Sequence, residues 1–200
     1  MSFQDIEIEI KLPLDNPDDV RKFLDAHAEP KAKNVFQKDT YFVPAHRNFL
    51  AVEYPFEWLR IRETANKSFL TYKHYHPENV EKTTHCDEYE SIIENPEAVK
   101  KIFNDLDIKS IVIVEKTRST WMFEDVEVAI DDVKNLGAYT ELEATLPYET
   151  PQAARAYLYE VLSKLGAKIR EEDVHGYPYM ILEKEEKILS ELNRSRKEIV

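Results

Sequence analysis

The chain has 200 residues, which is enough for one domain with a substantial core, and no apolar run approaches the roughly 20 residues of a membrane-spanning helix. Its 39 Asp and Glu side chains outnumber 27 Lys and Arg, and the net charge of -12 argues against nucleic-acid binding through bulk electrostatics. The first residues lack the basic and apolar regions of a signal peptide, and the single cysteine, Cys86, cannot form an internal disulfide. We therefore expect a cytoplasmic protein with neither a nucleic-acid nor a membrane partner.

The first extended segment, near residues 5–12, alternates charged and apolar side chains. Successive side chains of a strand point to opposite faces, so one face of this segment is apolar and the other is charged. The charged face carries Glu7, Glu9 and Lys11. Because a solvated strand face can look the same, the interpretation depends on whether the pattern recurs.

Three helices are predicted between the extended segments. Asn16-Pro17-Asp18 and Asn95-Pro96-Glu97 each supply a capping side chain, a proline at the first helical position and an acid near the helix N-terminus. A third helix follows Thr150-Pro151 and ends at Gly166. All three carry an apolar stripe, so we expect them to pack against a sheet.

The chain from about Leu182 onward is rich in Glu, Lys and Arg, which predicts an exposed helical tail. No linker rich in Pro or Ser divides the preceding residues. We therefore predict one domain over residues 1–182 and a charged helical tail over residues 183–200.

The remaining segments mix β-branched or aromatic residues with period-two polarity, which is typical of strands. They lie near residues 5–12, 34–43, 57–63, 68–75, 85–93, 110–121, 123–131 and 138–146. A sheet of eight strands can remove its exposed edges by curling into a barrel. The predicted fold class is therefore α+β, an eight-stranded β-barrel with flanking helices, and a barrel lined by charge would be a ligand tunnel.

Six cations occupy strand centres, whereas the helices take the surplus Asp and Glu. These cations are Lys11, Arg60, Arg62, Lys73, Lys116 and Arg118. On outward faces such charges would form ion pairs that each contribute little. On inward faces they would form a cradle for a highly charged anion, because side chains must hold a phosphate in a chain with three glycines and no Walker loop or dinucleotide fingerprint.

Carboxylates recur on the same alternating pattern. Those that could form a hard-oxygen site for Mg²⁺ or Mn²⁺ are Glu7, Glu9, Asp131, Glu141 and Glu143. Binding of a triphosphate needs both the cations and these carboxylates, since a divalent ion between phosphate and carboxylate removes their repulsion. His74 and His76 stand two residues apart and could form a zinc pair, but no Cys or third His stands at ligand spacing, so we expect two exposed strand-end histidines.

Seven blocks in order resemble the CYTH family of triphosphate tunnel metalloenzymes, which joins class IV adenylate cyclases and thiamine triphosphatases. They are Glu7-x-Glu9-x-Lys11, Gln37-x-Asp39-x-Tyr41-Phe42, Leu59-Arg60-Ile61-Arg62, Thr71-Tyr72-Lys73, Glu88-x-Glu90, Lys116-x-Arg118, and Asp131-x-Val133-x-x-Leu136-Gly137 ending in Glu141-x-Glu143. The resemblance implies an antiparallel eight-stranded tunnel in which the six cations contact a triphosphate and the five carboxylates named above hold Mg²⁺ or Mn²⁺. It makes Glu90 either a further metal ligand or a partner that orients Arg62 or Lys73.

The resemblance implies a metal-dependent enzyme, and two reactions fit it. One converts ATP to cyclic AMP and pyrophosphate, and the other hydrolyses thiamine triphosphate, inorganic triphosphate or a nucleoside triphosphate. The block from Asp131 to Glu143 resembles the cyclase branch most, although the His-Phe pair of bacterial cyclases would fall on Met1 and Ser2 and is missing here. A binding module without turnover is a third interpretation, and a homodimer is left open.

Overall fold

The computed structural model describes residues 6–146, 148–170 and 176–197, and it describes no side chains for residues 6–7 and 187–197. Nine strands are present in this part of the chain: β1 Ile6–Glu7, β2 Glu9–Pro13, β3 Glu29–Pro44, β4 Glu57–Glu63, β5 Ser68–His76, β6 His85–Ile93, β7 Ile108–Phe123, β8 Val126–Val133 and β9 Gly137–Ala144. The helices are α1 Pro17–His27, α2 Pro96–Asp105, α3 Pro151–Lys164 and α4 Gly176–Lys197. None of these helices is long and apolar enough to cross a bilayer.

All strands belong to one antiparallel sheet with the order β1-β6-β5-β4-β3-β7-β8-β9-β2. Its two end strands are consecutive pieces of the first predicted strand, which is interrupted at Ile8. Glu7 pairs with Cys86 at one end of the sheet, and Glu9 pairs with Glu143 at the other. Because both ends belong to one segment, the sheet curls around an internal space, which we call the tunnel. The predicted eight-strand antiparallel fold with flanking helices is confirmed.

The predicted helices are present, but one predicted cap is wrong. Asn95 and Thr150 accept hydrogen bonds from the third residue beyond them, at 3.0 and 3.1 Å, as capping side chains do. Asn16 makes no such bond. Its amide instead donates to the carbonyl of Gly166 and accepts from the backbone N–H of Lys168, so it joins α1 to the segment after α3.

Helix α4 begins at Gly176, earlier than the predicted start near Leu182, and it runs without a break past residue 182. Its first turns pack into the tunnel, where Tyr177 and Ile181 belong to an apolar cluster with Val112, Val114 and Tyr139. The division into residues 1–182 and 183–200 stays a prediction.

The main core lies outside the tunnel, between the outer face of the sheet and helices α1 and α3. Ile10 and Leu12 of β2 belong to it, whereas Glu9 and Lys11 on the same strand face the tunnel. The other main contributors are Val20, Leu24, Trp121, Val128, Ile130, Leu142, Leu158, Val161 and Leu162. The alternation along each strand thus separates a packed outer face from a charged inner one.

Candidate active site

All six predicted cations line one cavity of about 290 Å³ inside the tunnel. They are Lys11 on β2, Arg60 and Arg62 on β4, Lys73 on β5, and Lys116 and Arg118 on β7. Within each strand the intervening residues point to the outer face, which is why strands distant in the sequence can bring like charges together. Such a concentration of positive charge requires carboxylates or a bound anion to balance it.

Four of the predicted metal-side carboxylates, Glu9, Glu90, Glu141 and Glu143, line the same cavity. Asp131 lies on the inner face of β8 but beneath the cavity wall, with its side chain 1% exposed. The side chain of Glu7 lies outside the described part of the structure. Glu88 and Glu127 also line the cavity, although the sequence analysis assigned them no metal role.

Asp131 accepts four hydrogen bonds from three side chains. Arg118 donates to it through Nε at 2.7 Å and Nη2 at 2.6 Å, and Lys116 Nζ donates at 2.8 Å. The hydroxyl of Tyr177, on α4, donates to the same carboxylate at 3.0 Å. A carboxylate so bound fixes the positions of two cations that face the cavity.

Asp39 has a similar role on β3, which lies between β4 and β7 in the sheet. Arg62 donates to it through Nε at 2.7 Å and Nη2 at 2.6 Å, and Arg60 Nη1 reaches it at 3.4 Å. In the sequence, Asp39 stands out only as part of the block Gln37-x-Asp39-x-Tyr41-Phe42. The pairing of Asp39 with Arg62 depends on the strand register, which a local pattern does not give.

Arg60 and Lys73 pair with a carboxylate that lines the cavity, whereas Arg62 and Arg118 pair with buried aspartates. Arg60 Nη2 lies 3.6 Å from Glu88 Oε1, and Lys73 Nζ lies 3.1 Å from Glu88 Oε2. Arg60 Nε is buried and has no hydrogen-bond partner among the described residues. A buried donor without a partner is costly, so this nitrogen is suited to receive an acceptor such as a phosphate oxygen.

Lys11 and Glu141 connect the N-terminal strand to this network. Lys11 Nζ lies 3.1 Å from Glu141 Oε2, and Arg118 Nη2 donates to the same oxygen at 2.9 Å. Burial alone would raise the pKa of Glu141, but Arg118 and Lys11 hold this pKa well below its usual range. Burial alone would lower the pKa of Lys11, but Glu141 and Glu9 raise it.

The two buried aspartates are ionised despite their burial. Desolvation would raise their pKa values, yet Arg62 and Arg60 hold the pKa of Asp39 below its usual range, and Arg118 and Lys116 do the same for Asp131. Lys116 differs from the other cations. Burial and the neighbouring charge of Arg118 lower the pKa of Lys116 to about 7, even though Asp131 acts in the opposite direction.

Tyr177 is a tunnel residue that the sequence analysis did not assign. Its ring lies beneath both Lys11 and Lys116, with Nζ-to-centroid distances of 4.9 and 5.1 Å. Burial and the charge of Asp131 raise the pKa of its hydroxyl well above the ordinary value. The sequence signal was weak because Gly176 and Pro178 around it indicate a helix start without indicating where that helix packs.

The carboxylates fit a divalent cation in one specific respect. Glu9 Oε1 accepts a hydrogen bond from Tyr75 at 3.2 Å, while its buried Oε2 has no partner among the described residues. An unsatisfied carboxylate oxygen beside Glu141 and Glu143 is the donor type that Mg²⁺ and Mn²⁺ prefer. Among the described residues no group of three His, Cys, Asp or Glu side chains is arranged to hold a metal ion, and Lys11 and Arg118 engage Glu141.

A second cavity adjoins the tunnel and shares Glu9 and Lys11 with it. Aromatic side chains from the segment before and at the start of β4 line it: Tyr54, Phe56 and Trp58. The tunnel therefore continues from a charged interior into a partly aromatic region.

Comparisons with known proteins agree with this architecture. The family model described as the CYTH domain matches residues 5–177. A Methanocaldococcus jannaschii protein named "Putative adenylate cyclase MJ0240" is 36% identical over 141 residues, which are 70% of this chain and 78% of that protein.

Solved structures share the fold. The PH1819 protein of Pyrococcus horikoshii is 27% identical and superposes with a TM-score of 0.74, over 89% of this chain and 99% of that one. HpAC1 from Hippeastrum, a putative adenylyl cyclase described as having a dominant triphosphatase activity, is 20% identical with a TM-score of 0.58, over 89% and 95% of the two chains. At that identity HpAC1 shares the fold alone. With its strand order, its charged tunnel and the match of the family model over residues 5–177, the chain belongs to the CYTH domain family.

Proposed function

We propose that the protein binds a triphosphate in the tunnel and, with Mg²⁺ or Mn²⁺, breaks one of its phosphoanhydride bonds. The observation that carries this proposal is the convergence of six cations on one cavity that also exposes carboxylates. Guanidinium forks match phosphate oxygens, and Arg60 and Lys73, whose partner Glu88 lines the cavity, are suited to contact charge as it develops on them.

The divalent cation would be held on the side of Glu9, Glu141 and Glu143, and when bound it would polarise phosphate oxygens and neutralise their charge. Glu7 belongs to the same proposed set. The contacts of Asp131 favour a different contribution, because its carboxylate positions Lys116 and Arg118 from beneath the cavity wall. Glu90 accepts a hydrogen bond from Thr71 at 3.0 Å and stays a candidate for either role.

The reaction that we favour is the adenylate cyclase reaction. The 3′-hydroxyl of ATP attacks the α-phosphorus, the bond to the bridging oxygen breaks, and cyclic AMP and pyrophosphate form with release of the hydroxyl proton. Two observations support a nucleotide substrate: the partly aromatic cavity that adjoins the tunnel, and the 36% identity to the relative named "Putative adenylate cyclase MJ0240". Aromatic rings beside a phosphate cradle are suited to stack a base.

The second candidate is a triphosphatase, in which water attacks the γ-phosphorus and orthophosphate leaves. The cation set could hold inorganic triphosphate without any organic group. The likeness in fold to HpAC1, with its dominant triphosphatase activity, supports keeping this reaction in the test. The same six cations would serve both reactions, and the phosphorus that faces the nucleophile decides between them.

The test is to incubate the protein with ATP, thiamine triphosphate or inorganic triphosphate, with Mg²⁺, Mn²⁺ or EDTA, and to identify the products by chromatography. Cyclic AMP with pyrophosphate establishes the cyclase, and orthophosphate establishes the triphosphatase. Tight metal-independent binding without product would leave a binding module instead.

Matched variants tie the activity to the tunnel. Glu141→Ala should impair metal use and rate, whereas Glu94→Ala removes the same group from an exposed position and should not. If Glu141→Ala kept full activity, the tunnel assignment would be wrong.

A further inference from the structure

The cavity that adjoins the tunnel lies between two loops. One joins β3 to β4 over residues 45–56, and the other joins β5 to β6 over residues 77–84. We call them the aromatic loop and the facing loop. The aromatic loop contributes Tyr54, Pro55 and Phe56 to the cavity lining, and the facing loop contributes Val80, Glu81, Lys82 and Thr83. Two walls of this cavity therefore depend on loops, whereas the six cations of the tunnel stand on strands.

Asn79 of the facing loop bonds directly to the aromatic loop. Its side-chain Oδ1 accepts a hydrogen bond from the backbone N–H of Tyr54 at 3.2 Å. Tyr54 and Val80, the residue after Asn79, both line the cavity. This bond therefore restrains the separation of the two loops beside the cavity.

The aromatic loop is also held where it enters β4. Arg47 Nη2 lies 2.8 Å from Oε1 of Glu57, the first residue of β4, and the hydroxyl of Tyr72 on β5 donates to the same oxygen. Glu57 alternates with a tunnel residue along the strand, so these contacts lie on the outer face of the sheet. They hold the loop to the sheet, and the bond to Asn79 adds a restraint across the cavity.

The backbone of Asn79 lies in the left-handed region, with a φ of 51°. Asn, Asp and Gly adopt this region more readily than other residues, so Asn79 could stand here for its backbone alone. A residue that only makes a turn needs no partner on another loop. The bond between its side chain and Tyr54 is the observation that points to a second role.

We propose that Asn79 is a positioning residue that raises the affinity of the site for a nucleoside triphosphate relative to inorganic triphosphate. This inference rests on the proposed function, in which the triphosphate lies among the six cations and a base lies against the aromatic side chains. The cavity is small, about 90 Å³, so contact with a flat ring depends closely on the separation of its walls. A loop that is already held in place loses less conformational entropy when the ligand binds, which strengthens binding.

Inorganic triphosphate is the ligand that separates this role from a general effect on the tunnel. It has no ring to place between the loops, and its proposed partners are cations on the strands. Its affinity should therefore not depend on Asn79. The ratio of the two affinities also cancels any change of charge that a variant introduces near the tunnel.

Two substitutions separate the side-chain bond from the backbone of Asn79. Asn79→Gly keeps a residue that readily adopts a positive φ but removes the acceptor, whereas Asn79→Asp keeps both. Asn135→Gly is the matched control. Asn135 has a φ of 70° in the turn between β8 and β9 and is not among the described residues that line either cavity.

The experiment is calorimetric titration of the whole protein with ATP and with inorganic triphosphate in EDTA, where metal-dependent turnover stops. Asn79→Gly should weaken ATP binding about 3- to 10-fold, the range expected for one hydrogen bond, and leave the affinity for inorganic triphosphate unchanged. Asn79→Asp and Asn135→Gly should keep the wild-type ratio of the two affinities. With Mg²⁺ present, the KM for ATP should rise by the same factor in Asn79→Gly while kcat stays unchanged.

Several results would overturn this proposal and leave the proposed function in place. They are ATP binding that is unchanged or tighter in Asn79→Gly, equal losses for ATP and inorganic triphosphate, and an Asn79→Asp variant that behaves like Asn79→Gly. A wild-type protein that binds inorganic triphosphate but not ATP would also overturn it. If the wild type neither binds nor turns over either ligand, in EDTA or with Mg²⁺, the proposed function fails as well. Far-UV circular dichroism checks that the variants of this exposed residue are folded.

Discussion

The tunnel lining contains two kinds of charge pairing. Arg62 and Arg118 each hold a buried aspartate with two hydrogen bonds of 2.6 and 2.7 Å. Arg60 reaches Asp39 only at 3.4 Å, and Arg60 and Lys73 lie 3.6 and 3.1 Å from Glu88, which itself faces the cavity. We therefore propose that the first pairs build the framework of the tunnel and that Arg60 and Lys73 exchange Glu88 for a ligand oxygen.

Burial explains why the two kinds of charge pairing should respond differently to mutation. The side chains of Asp39 and Asp131 are 1% exposed, so loss of a partner there leaves an uncompensated charge away from water. A ligand phosphate could replace Glu88 as the partner of Lys73 without any such penalty, because charge is exchanged for charge. The largest mutational effects should therefore fall on stability at the aspartates and on binding at Arg60.

The most damaging change should be Asp131→Ala. It removes the shared acceptor of Lys116, Arg118 and Tyr177, and the loss of one partner of a buried ion pair costs about 3 to 5 kcal/mol. Urea unfolding followed by circular dichroism measures the change in the free energy of unfolding.

Asp132→Ala is the control for that experiment. Asp132 is the next residue of β8, points to the outer face and pairs with Arg21 while 55% exposed. We expect a loss of about 1 kcal/mol or less. Equal losses in the two variants would mean that Asp131 is not a framework residue.

Arg60→Ala should act on binding more than on stability. Asp39 keeps both hydrogen bonds from Arg62, so this buried ion pair remains. The cavity, however, loses the Arg60 guanidinium, whose Nε has no hydrogen-bond partner among the described residues. One charge-assisted interaction corresponds to roughly a 10- to 100-fold loss of affinity for inorganic triphosphate by calorimetry. Lys101→Ala, on the exposed side of α2, removes the same charge and should change little.

The lowered pKa of Lys116 predicts opposite pH trends for stability and for binding. Between its folded value of about 7 and the ordinary value near 10.4, the unfolded chain binds more protons than the folded one, so the free energy of unfolding should rise with pH. Triphosphate affinity should fall over the same window, by up to about tenfold per pH unit, because the cation is lost.

Measurement of both quantities from pH 7 to 9 tests this expectation, with Lys116→Arg as the comparison. Arginine stays protonated across the window, so the difference between the two proteins cancels the ionisation of the ligand itself. Parallel pH profiles for the wild type and Lys116→Arg would show that Lys116 does not titrate there.

The smallest effect should follow Thr71→Val. The Thr71 hydroxyl donates to Glu90 Oε2 at 3.0 Å, and loss of one such bond costs about 1 kcal/mol. Thr117→Val, on the outer face of β7, is the matched control. A raised Mn²⁺ requirement for turnover in Thr71→Val alone would favour Glu90 as a metal ligand, whereas an unchanged requirement would favour an orienting role.

The strand alternation was enough to predict which cations share a face, because period-two polarity depends only on local backbone geometry. It predicted the two sides of β2 correctly, with Ile10 in the core and Lys11 in the tunnel. It could not predict which carboxylate each cation meets. The roles of Asp39 and Glu88 depend on register between strands, and register is a tertiary property.

Longer-range features were also beyond a local pattern. Asn16 has the sequence of a helix cap, but its side chain bonds to Gly166 and Lys168, which are about 150 residues away in the chain. Tyr177 follows a glycine in a segment with no strand periodicity, and only the packing of α4 brings it to Asp131. For Asn16, tertiary contacts replaced the helix cap that local propensity favours. For Tyr177, tertiary packing sets a position that local propensity does not indicate.

Because the first strand is interrupted at Ile8, one short segment pairs with both ends of the sheet and sets the diameter of the tunnel. Residues on either side of Ile8 pair with β6 and β9, the two strands that would move apart if the tunnel widened. The same segment carries Glu9 and Lys11, whose side chains face the cavity. Any widening of the tunnel must therefore move these side chains. The diameter of the tunnel and the spacing of the acidic side chains that line it thus change together.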